Sequence, residues 1–354
     1  MTSFLYKGKH LPDLSSASRE SLLDFFYETQ NVKHRHAKRH TGQDGWWEFS
    51  SAMTLYGDKM RVFELFDQPS TRTYYTTECA IDLLGGKVSG VTNLAFSSVA
   101  KGESLKATVR TLSRIGYQIV VIRYGGKEQH IARKLADMCF NEGLPTSVVC
   151  AGESNIHHPM QAICESFTVF ETRREEFLAG NLTYAVVGDL SDSRTIHDFL
   201  DAVSHFGAKK IYGVGGRFNN LPEWVLALLH ERGIMYEKTS DLISVAPEID
   251  VWYFTRYQQE YKWSGWLLKK SKLLRFAEKQ WYARWYGVSD TLLATTKKNA
   301  IFLHPLPHGL EYPEDIHLRD KRFLHYGAMI DNSLITKVTL FWLITKELIT
   351  KNLK

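Results

Sequence analysis

Five short segments hold most of the chemistry-bearing side chains of this chain. They are Ser70-Thr71-Arg72-Thr73, Lys101-Gly102-Glu103-Ser104, His158-Pro159-Met160-Gln161, Thr255-Arg256-Tyr257-Gln258 and His304-Pro305-Leu306-Pro307. Hydroxyls, guanidiniums, an ammonium and an imidazole recur among them, with almost no carboxylate. Such a set suits the binding of a compact phosphorylated anion together with a second anionic molecule.

Each segment has its own chemistry and its own plainer reading. Ser70-Thr71-Arg72-Thr73 offers amides at a helix start, several hydroxyls and one guanidinium. Unsatisfied amides and the helix dipole favour a phosphate dianion there, and an arginine adds bidentate hydrogen bonds. The alternative is an N-cap serine beside an incidental arginine. Lys101 precedes a predicted helix and would supply a point charge to a phosphate; the alternative is a solvated surface lysine. Arg123 closes an apolar strand, a position that favours a ligand contact over a surface charge.

His158 stands before Pro159, which fixes the backbone of a first helical turn. Its imidazole would donate to a carbonyl oxygen and stabilise charge developing on it, with Gln161 one turn further on. A lone histidine is more often structural, and His157 reads as a solvent-facing neighbour. No third ligand accompanies the pair at a metal-binding spacing, so no metal is expected.

In the second half, Arg194 follows a strand at a helix start, and Arg256 with Gln258 follows another. Two arginines at strand ends suit a dicarboxylate; a pair of structural salt bridges is the alternative. Gly213-Val214-Gly215-Gly216 resembles a dinucleotide turn, but its third glycine is misplaced and no acid about 20 residues later sits well. The segment 262–286 interleaves Lys and Arg with Trp, Tyr and Phe. That mixture is compatible with single-stranded nucleic acid or a membrane surface, but a loop and amphipathic helix near the anionic substrate, or a subunit contact, is the simpler reading.

The chain has 354 residues, enough for two cores, with 44% apolar and 23% charged residues, which excludes disorder and fibrous repeats. A net charge of +5 is compatible with anionic substrates without implying nucleic acid. Cys79, Cys139, Cys150 and Cys164 form no CxxC pair and read as buried reduced thiols, which favours the cytoplasm. No N-terminal apolar signal segment is evident, and no stretch reaches the roughly 18 apolar residues of a membrane span.

Positioning these segments requires an alternation of strands and helices, and the pattern supplies it. A first helix is predicted around Ser18–Thr29. Strands follow at Met60–Phe66, Val91–Phe96, Gln118–Arg123 and Thr146–Cys150, with helices from Thr71 to Gly85-Gly86, at Glu103–Arg114 and at Lys127–Phe140. His158-Pro159 opens a further helix, and the polar stretch Glu171–Asn181 is the expected hinge. A second unit has strands at Thr183–Gly188, Lys210–Val214 and Asp250–Thr255, and helices at Thr195–Phe206 and Pro222–Arg232. Another apolar run, Ala300–Leu303, ends at the fifth motif. The predicted fold is α/β: two similar-sized domains, each a mostly parallel sheet flanked by helices. Domain bounds are expected at 1–160 and 161–332, with a last helix at about 333–354 packing back on the first. Ligands bind beyond the carboxyl ends of strands in such sheets, which is where the motifs fall.

In this order the five motifs resemble those of the aspartate/ornithine carbamoyltransferase family, across roughly residues 55–345. His304-Pro305-Leu306-Pro307 and Thr255-Arg256-Tyr257-Gln258 point to its aspartate branch. The resemblance implies two substrates, carbamoyl phosphate and L-aspartate, no metal or organic cofactor, and an active site in the cleft between the domains. It implies that Ser70, Thr71, Arg72 and Thr73 hold the phosphate, and that Lys101 and Ser97 reach into a neighbouring subunit's site. Arg123, His158 and Thr73 would polarise the carbamoyl carbonyl. Gln161 and the backbone carbonyls of Leu306 and Pro307 would take the carbamoyl amide, and Arg194, Arg256 and Gln258 the two carboxylates. A homotrimer, or a higher assembly of trimers, is implied.

The chain departs from the family pattern at two arginines, where it carries Tyr74 and His308, and its 258–304 interval is longer. The expected reaction is carbamoyl transfer to L-aspartate, on the way to pyrimidines. The alternatives are transfer to another amine acceptor and a silent paralogue that assembles with a catalytic chain.

Overall fold

A computed structural model describes residues 4–39, 46–55, 58–68, 70–92, 102–217, 219–256 and 280–352. The chain forms two compact units. The first comprises residues 1–164 and 331–354, the second 165–330.

The first unit is built on four parallel strands, β1 (Arg61–Phe66), β2 (Lys87–Val91), β3 (Ile119–Tyr124) and β4 (Ser147–Glu153), in the spatial order β2-β1-β3-β4. Its helices are α1 (Arg19–Ala37), α2 (Thr71–Leu83), α3 (Leu105–Arg114) and α4 (Ile131–Asn141). Leu105, Val109 and Leu112 recur at helical spacing and bury one face of α3. They join Val120, Ile122, Leu135, Ala136 and Val148 in one apolar core. The Ser104 hydroxyl caps α3 by accepting from the Ala107 amide at 3.2 Å. The N-terminal segment lies beside β4, where Leu11 donates to the Val148 carbonyl and accepts from the Cys150 amide.

Several expectations shift. A strand forms over Lys87–Val91, pairing Arg61 with Lys87 and Leu65 with Val91, whereas residues 93–96 of the strand expected at Val91–Phe96 lie outside the described residues. Gly85, at φ +76°, lets the chain turn straight from helix to strand; a Cβ there would meet the Ser50 carbonyl oxygen at 2.3 Å. The helix expected from Lys127 begins at Ile131, because His130 is left-handed (φ 56°) and the Glu153 carboxylate accepts from the first amides, Ile131 and Ala132. Cys79 is exposed and not buried: on α2 it is Ala80 and Ile81 that turn inward. The other three cysteines are buried.

The helix opened by Pro159, α5 (Pro159–Thr172), carries the chain out of the first unit between Cys164 and Glu165. This is earlier than the hinge expected at Glu171–Asn181, where a short helix (Arg174–Leu178) forms instead, pinned by Arg173 to Glu176 and to the Asn299 carbonyl. The cause is that α5 is buried along its length, through Ile163, Phe167 and Phe170, so nothing interrupts it.

The second unit has five parallel strands, β5 (Thr183–Val187), β6 (Lys210–Val214), β7 (Tyr236–Thr239), β8 (Val251–Phe254) and β9 (Ile301–Leu303), in the order β9-β8-β5-β6-β7. Helices α6 (Arg194–Ser204) and α7 (Glu223–Glu231) connect its first strands. Strand β7 lacks an apolar run and gave no sequence signal; it sits at the sheet edge with Glu237 exposed and its other residues half-buried. Trp252, Phe254, Phe302 and Phe323 form an aromatic core on one face, with Phe302 stacked on Trp252, Phe254 and Phe323 and Tyr312 edge-on to Phe254 and Phe323. The last helix, α8 (Ala328–Asn352), starts earlier than the expected Ser333 and belongs to the first unit from Asp331 onward. No helix among the described residues is long and apolar enough to cross a membrane.

Candidate active site

In the first unit, two of the five segments and Arg123 lie at or just beyond the carboxyl ends of adjacent strands. Beyond β1 the chain turns into α2 with Ser70 as N-cap, in extended backbone and with no capping bond from its hydroxyl. Thr71, Arg72 and Thr73 form the first turn, with Thr73 buried and Arg72 exposed. The first helical amides have no carbonyl four residues back, so this turn presents donors at the positive end of a 13-residue helix. The neighbouring turn is fixed to it: Asp67 donates its amide to the Arg123 carbonyl at 2.8 Å, and its carboxylate accepts from Gly125 at 3.3 Å.

Arg123 lies near the end of β3. The β3–β4 register slips between Ile122 and Tyr124, and there Arg123 Nη1 donates to the Ala151 carbonyl at 2.9 Å. The same nitrogen is 3.5 Å from Nε2 of His158. His158 is buried at the head of α5, and the Gln161 amide donates to its carbonyl at 3.0 Å. The structure therefore brings Arg123 and His158 side by side. His157 is half-buried against the ring of His130 rather than facing solvent.

Tyr74 packs its ring edge-on to Phe66, with centroids 5.6 Å apart. Where the family pattern has a cation, this chain places an aromatic against the end of β1. Burial, followed by the nearby Glu64 and Glu78 carboxyls, pushes the Tyr74 phenol up.

The second unit offers three segments on adjacent strands β9, β8 and β5. Arg194 opens α6 after β5, and Arg256 follows β8, both half-buried. Strands β5 and β8 pair in register, Val187 opposite Phe254, so both arginines leave the same sheet edge. Between them Thr255 is buried and donates to the Val187 carbonyl at 3.3 Å. Tyr282, in the helical stretch 280–286, donates to the Thr255 carbonyl at 3.0 Å. Beyond β9, His304 is buried and accepts from the Leu306 amide, and Leu306 takes a left-handed φ of 56°. His308, in place of the family arginine, is half-buried and lies beside the rings of Tyr312, His325 and Tyr326. The Gly215 and Gly216 carbonyls of the glycine-rich turn accept from the Lys238 ammonium.

Ser97, Lys101 and Gln258 lie outside the described residues, as does most of the basic aromatic segment. No group of three or more His, Cys, Asp or Glu that could hold a metal occurs among the described residues.

Sequence reasoning missed the buried acids. Glu64 is fully buried in β1, and neither carboxylate oxygen has a hydrogen-bond partner. Its only signal is a lone acid inside the apolar run Val62–Phe66. Glu153 caps α4, and Glu311 accepts from Gly309 and lies 3.1 Å from His304; neither stands out from other acids in the sequence.

The start of α2 and the Arg123–His158 pair thus lie in the first unit, and Arg194 and Arg256 follow neighbouring strands in the second. Residues 9–171 match the family described as aspartate/ornithine carbamoyltransferase, carbamoyl-P binding domain, and residues 180–344 match its Asp/Orn binding domain. The chain belongs to the aspartate/ornithine carbamoyltransferase family. It is 33% identical over 81% of its length to the aspartate carbamoyltransferase catalytic subunit of Vibrio cholerae, of which it covers 85%. It is 34% identical over 77% to that of Thermoplasma acidophilum, of which it covers 83%. Its fold is similar to Trypanosoma cruzi aspartate transcarbamoylase in complex with N-(phosphonacetyl)-L-aspartic acid, at a TM-score of 0.77 and 21% identity, over 97% of each chain.

Proposed function

We propose that this chain transfers the carbamoyl group of carbamoyl phosphate to the amine of L-aspartate, giving N-carbamoyl-L-aspartate and phosphate. The observation that carries this reading is the side-by-side placement of Arg123 and His158, in the same unit as the hydroxyl- and amide-rich start of α2. One holds a dianion; the other stabilises a carbonyl oxygen as it becomes an oxyanion.

The chemistry asks little of a general base. The neutral aspartate amine attacks the carbamoyl carbon, a C–N bond forms, and the C–O bond to phosphate breaks. Phosphate leaves and takes the amine proton. Ser70, Thr71, Arg72 and Thr73 hold the phosphate, while Arg123, His158 and Thr73 polarise the carbonyl. Gln161 and the carbonyls of Leu306 and Pro307 accept the carbamoyl amide, and Arg194, Arg256 and Gln258 grip the carboxylates. Positioning the two anions and stabilising the oxyanion supply most of the acceleration. The chemistry requires no metal or organic cofactor.

The working form is a homotrimer in which Lys101 and Ser97 serve a neighbouring subunit's site, acting in the cytoplasm on the way to pyrimidines. Family membership and the catalytic-subunit relatives support this.

Tyr74 and His308 favour a second reading, transfer to a different amine, because each removes a cation that the family pattern supplies. The test is to incubate the purified chain with carbamoyl phosphate and a panel of amino acids, and to identify the carbamoylated product. Aspartate is expected as the best acceptor. A better one would replace the assignment, and no turnover with any acceptor would favour a silent assembly partner.

A further inference from the structure

We propose that Glu311 is a positioning residue for the Leu306 and Pro307 carbonyls, acting through the His304 imidazole. The inference rests on the carbamoyl-transfer reading, in which those two carbonyls accept the carbamoyl amide.

Both side chains are buried, His304 at 1% and Glu311 at 3% exposure. The Leu306 amide donates to His304 Nδ1 at 2.9 Å. A ring nitrogen that accepts a hydrogen bond carries no proton, so the proton of the neutral ring sits on Nε2. That nitrogen is 3.1 Å from Glu311 Oε1 and donates to it. The same oxygen accepts from the Gly309 amide at 2.6 Å. Burial pushes the Glu311 carboxyl up, but the bonds from His304 and Gly309 outweigh it and hold the group below its ordinary range. An ionised carboxylate only accepts, so it enforces the Nε2–H tautomer and leaves Nδ1 unprotonated, as an acceptor for the Leu306 amide.

Carboxylate and ring thus fix two amides, those of residues 306 and 309, and the Leu306 and Pro307 carbonyls lie in the chain between them. The need is real: Leu306 has φ 56°, a region that a branched residue rarely adopts unless its surroundings impose it. Glu311 is itself anchored, because its carbonyl accepts from the Val288 amide at 2.8 Å. Val288 follows the 280–286 stretch, whose Tyr282 holds the Thr255 carbonyl next to Arg256.

The test combines kinetics with the ring's spectroscopic signature. Glu311→Leu is expected to lower kcat/KM for carbamoyl phosphate by about 100-fold, the scale of a misplaced contact, with little change in KM for aspartate. Glu311→Gln keeps an acceptor oxygen and is expected to recover most of that loss. In the wild-type and Gln proteins, 15N-histidine NMR is expected to find His304 neutral and protonated on Nε2. A folded Leu variant with wild-type kcat/KM, a Gln variant as impaired as Leu, or a wild-type His304 protonated on Nδ1 would each overturn the proposal. If the wild-type chain transfers no carbamoyl group, the functional reading fails, while the ring spectrum still decides whether Glu311 holds the tautomer.

Discussion

Nη1 of Arg123 stands 3.5 Å from Nε2 of His158 while donating a 2.9 Å hydrogen bond to the Ala151 carbonyl. The carbonyl aims the guanidinium, and the imidazole shares the space it faces. Two polar groups so placed act on one atom of a substrate better than either alone, provided that neither moves when charge develops.

Arg123→Ala and His158→Ala are each expected to lower kcat by about 100- to 1000-fold, the usual cost of one oxyanion donor. Because the two side chains touch, the double variant should lose less than the product of the single losses, a coupling of roughly 0.5 to 3 kcal/mol. Steady-state rates of carbamoyl-aspartate formation for the four proteins complete the cycle. Strict additivity would mean that the two groups do not serve the same atom.

Arg72 and Arg256 belong to different units, and they are assigned to different anions. Arg72→Ala should raise KM for carbamoyl phosphate, and Arg256→Ala should raise KM for aspartate. On the proposed reading, a mimic that joins a phosphonate to an aspartate moiety carries both anions, so each substitution alone should weaken it. Losing a charge-assisted hydrogen bond costs about 1.5 to 3 kcal/mol, or roughly 10- to 150-fold in Kd. Calorimetric titration reads this directly. Unchanged affinity in either variant would remove that arginine from the site.

A trimer with shared sites makes a separate prediction. Lys101→Ala and Arg256→Ala chains should each be nearly inactive, yet mixed trimers of the two contain a site whose contributing chains are both intact there. Dissociating and reassociating the two variants together should therefore restore part of the activity. A mixture that stays inactive despite forming mixed trimers would show that Lys101 acts within its own subunit.

Glu64 gives the fold a pH dependence. Burial above all, then repulsion from Glu78, raises its carboxyl from the ordinary 4.5 to about 8, and attraction from Lys337 offsets only part of this. The folded chain keeps this proton up to about pH 8, whereas the unfolded chain loses it near pH 4.5. The contribution is fully present below about pH 4.5 and is lost as pH rises to about 8, a change on the order of 3 to 5 kcal/mol. Glu64→Gln mimics the protonated acid. Denaturant unfolding should find it close to wild type at pH 5 and distinctly more stable at pH 8. A stability difference that stays constant between these pH values would contradict the assignment.

Much of this protein is determined locally and is therefore legible in its sequence. The apolar run Val62–Phe66, the serine at the next turn and the helix spacing after it define a strand, an N-cap and a helix without reference to the rest of the chain. The same holds for Arg123 at a strand end, His158 before Pro159, and the arginines that follow β5 and β8, because strand ends and helix starts are written in short-range patterns. The tertiary structure decided what depends on partners far along the chain. Glu153 caps a helix that begins 22 residues earlier, Cys79 turns outward because Ala80 and Ile81 take the inner face, and Glu64 is shut in away from hydrogen-bond partners. Whether a carboxylate is a surface charge, a cap or a buried proton reservoir is set by which distant segments exclude water from it. Burial of that kind comes from packing, and no run of neighbouring residues encodes it.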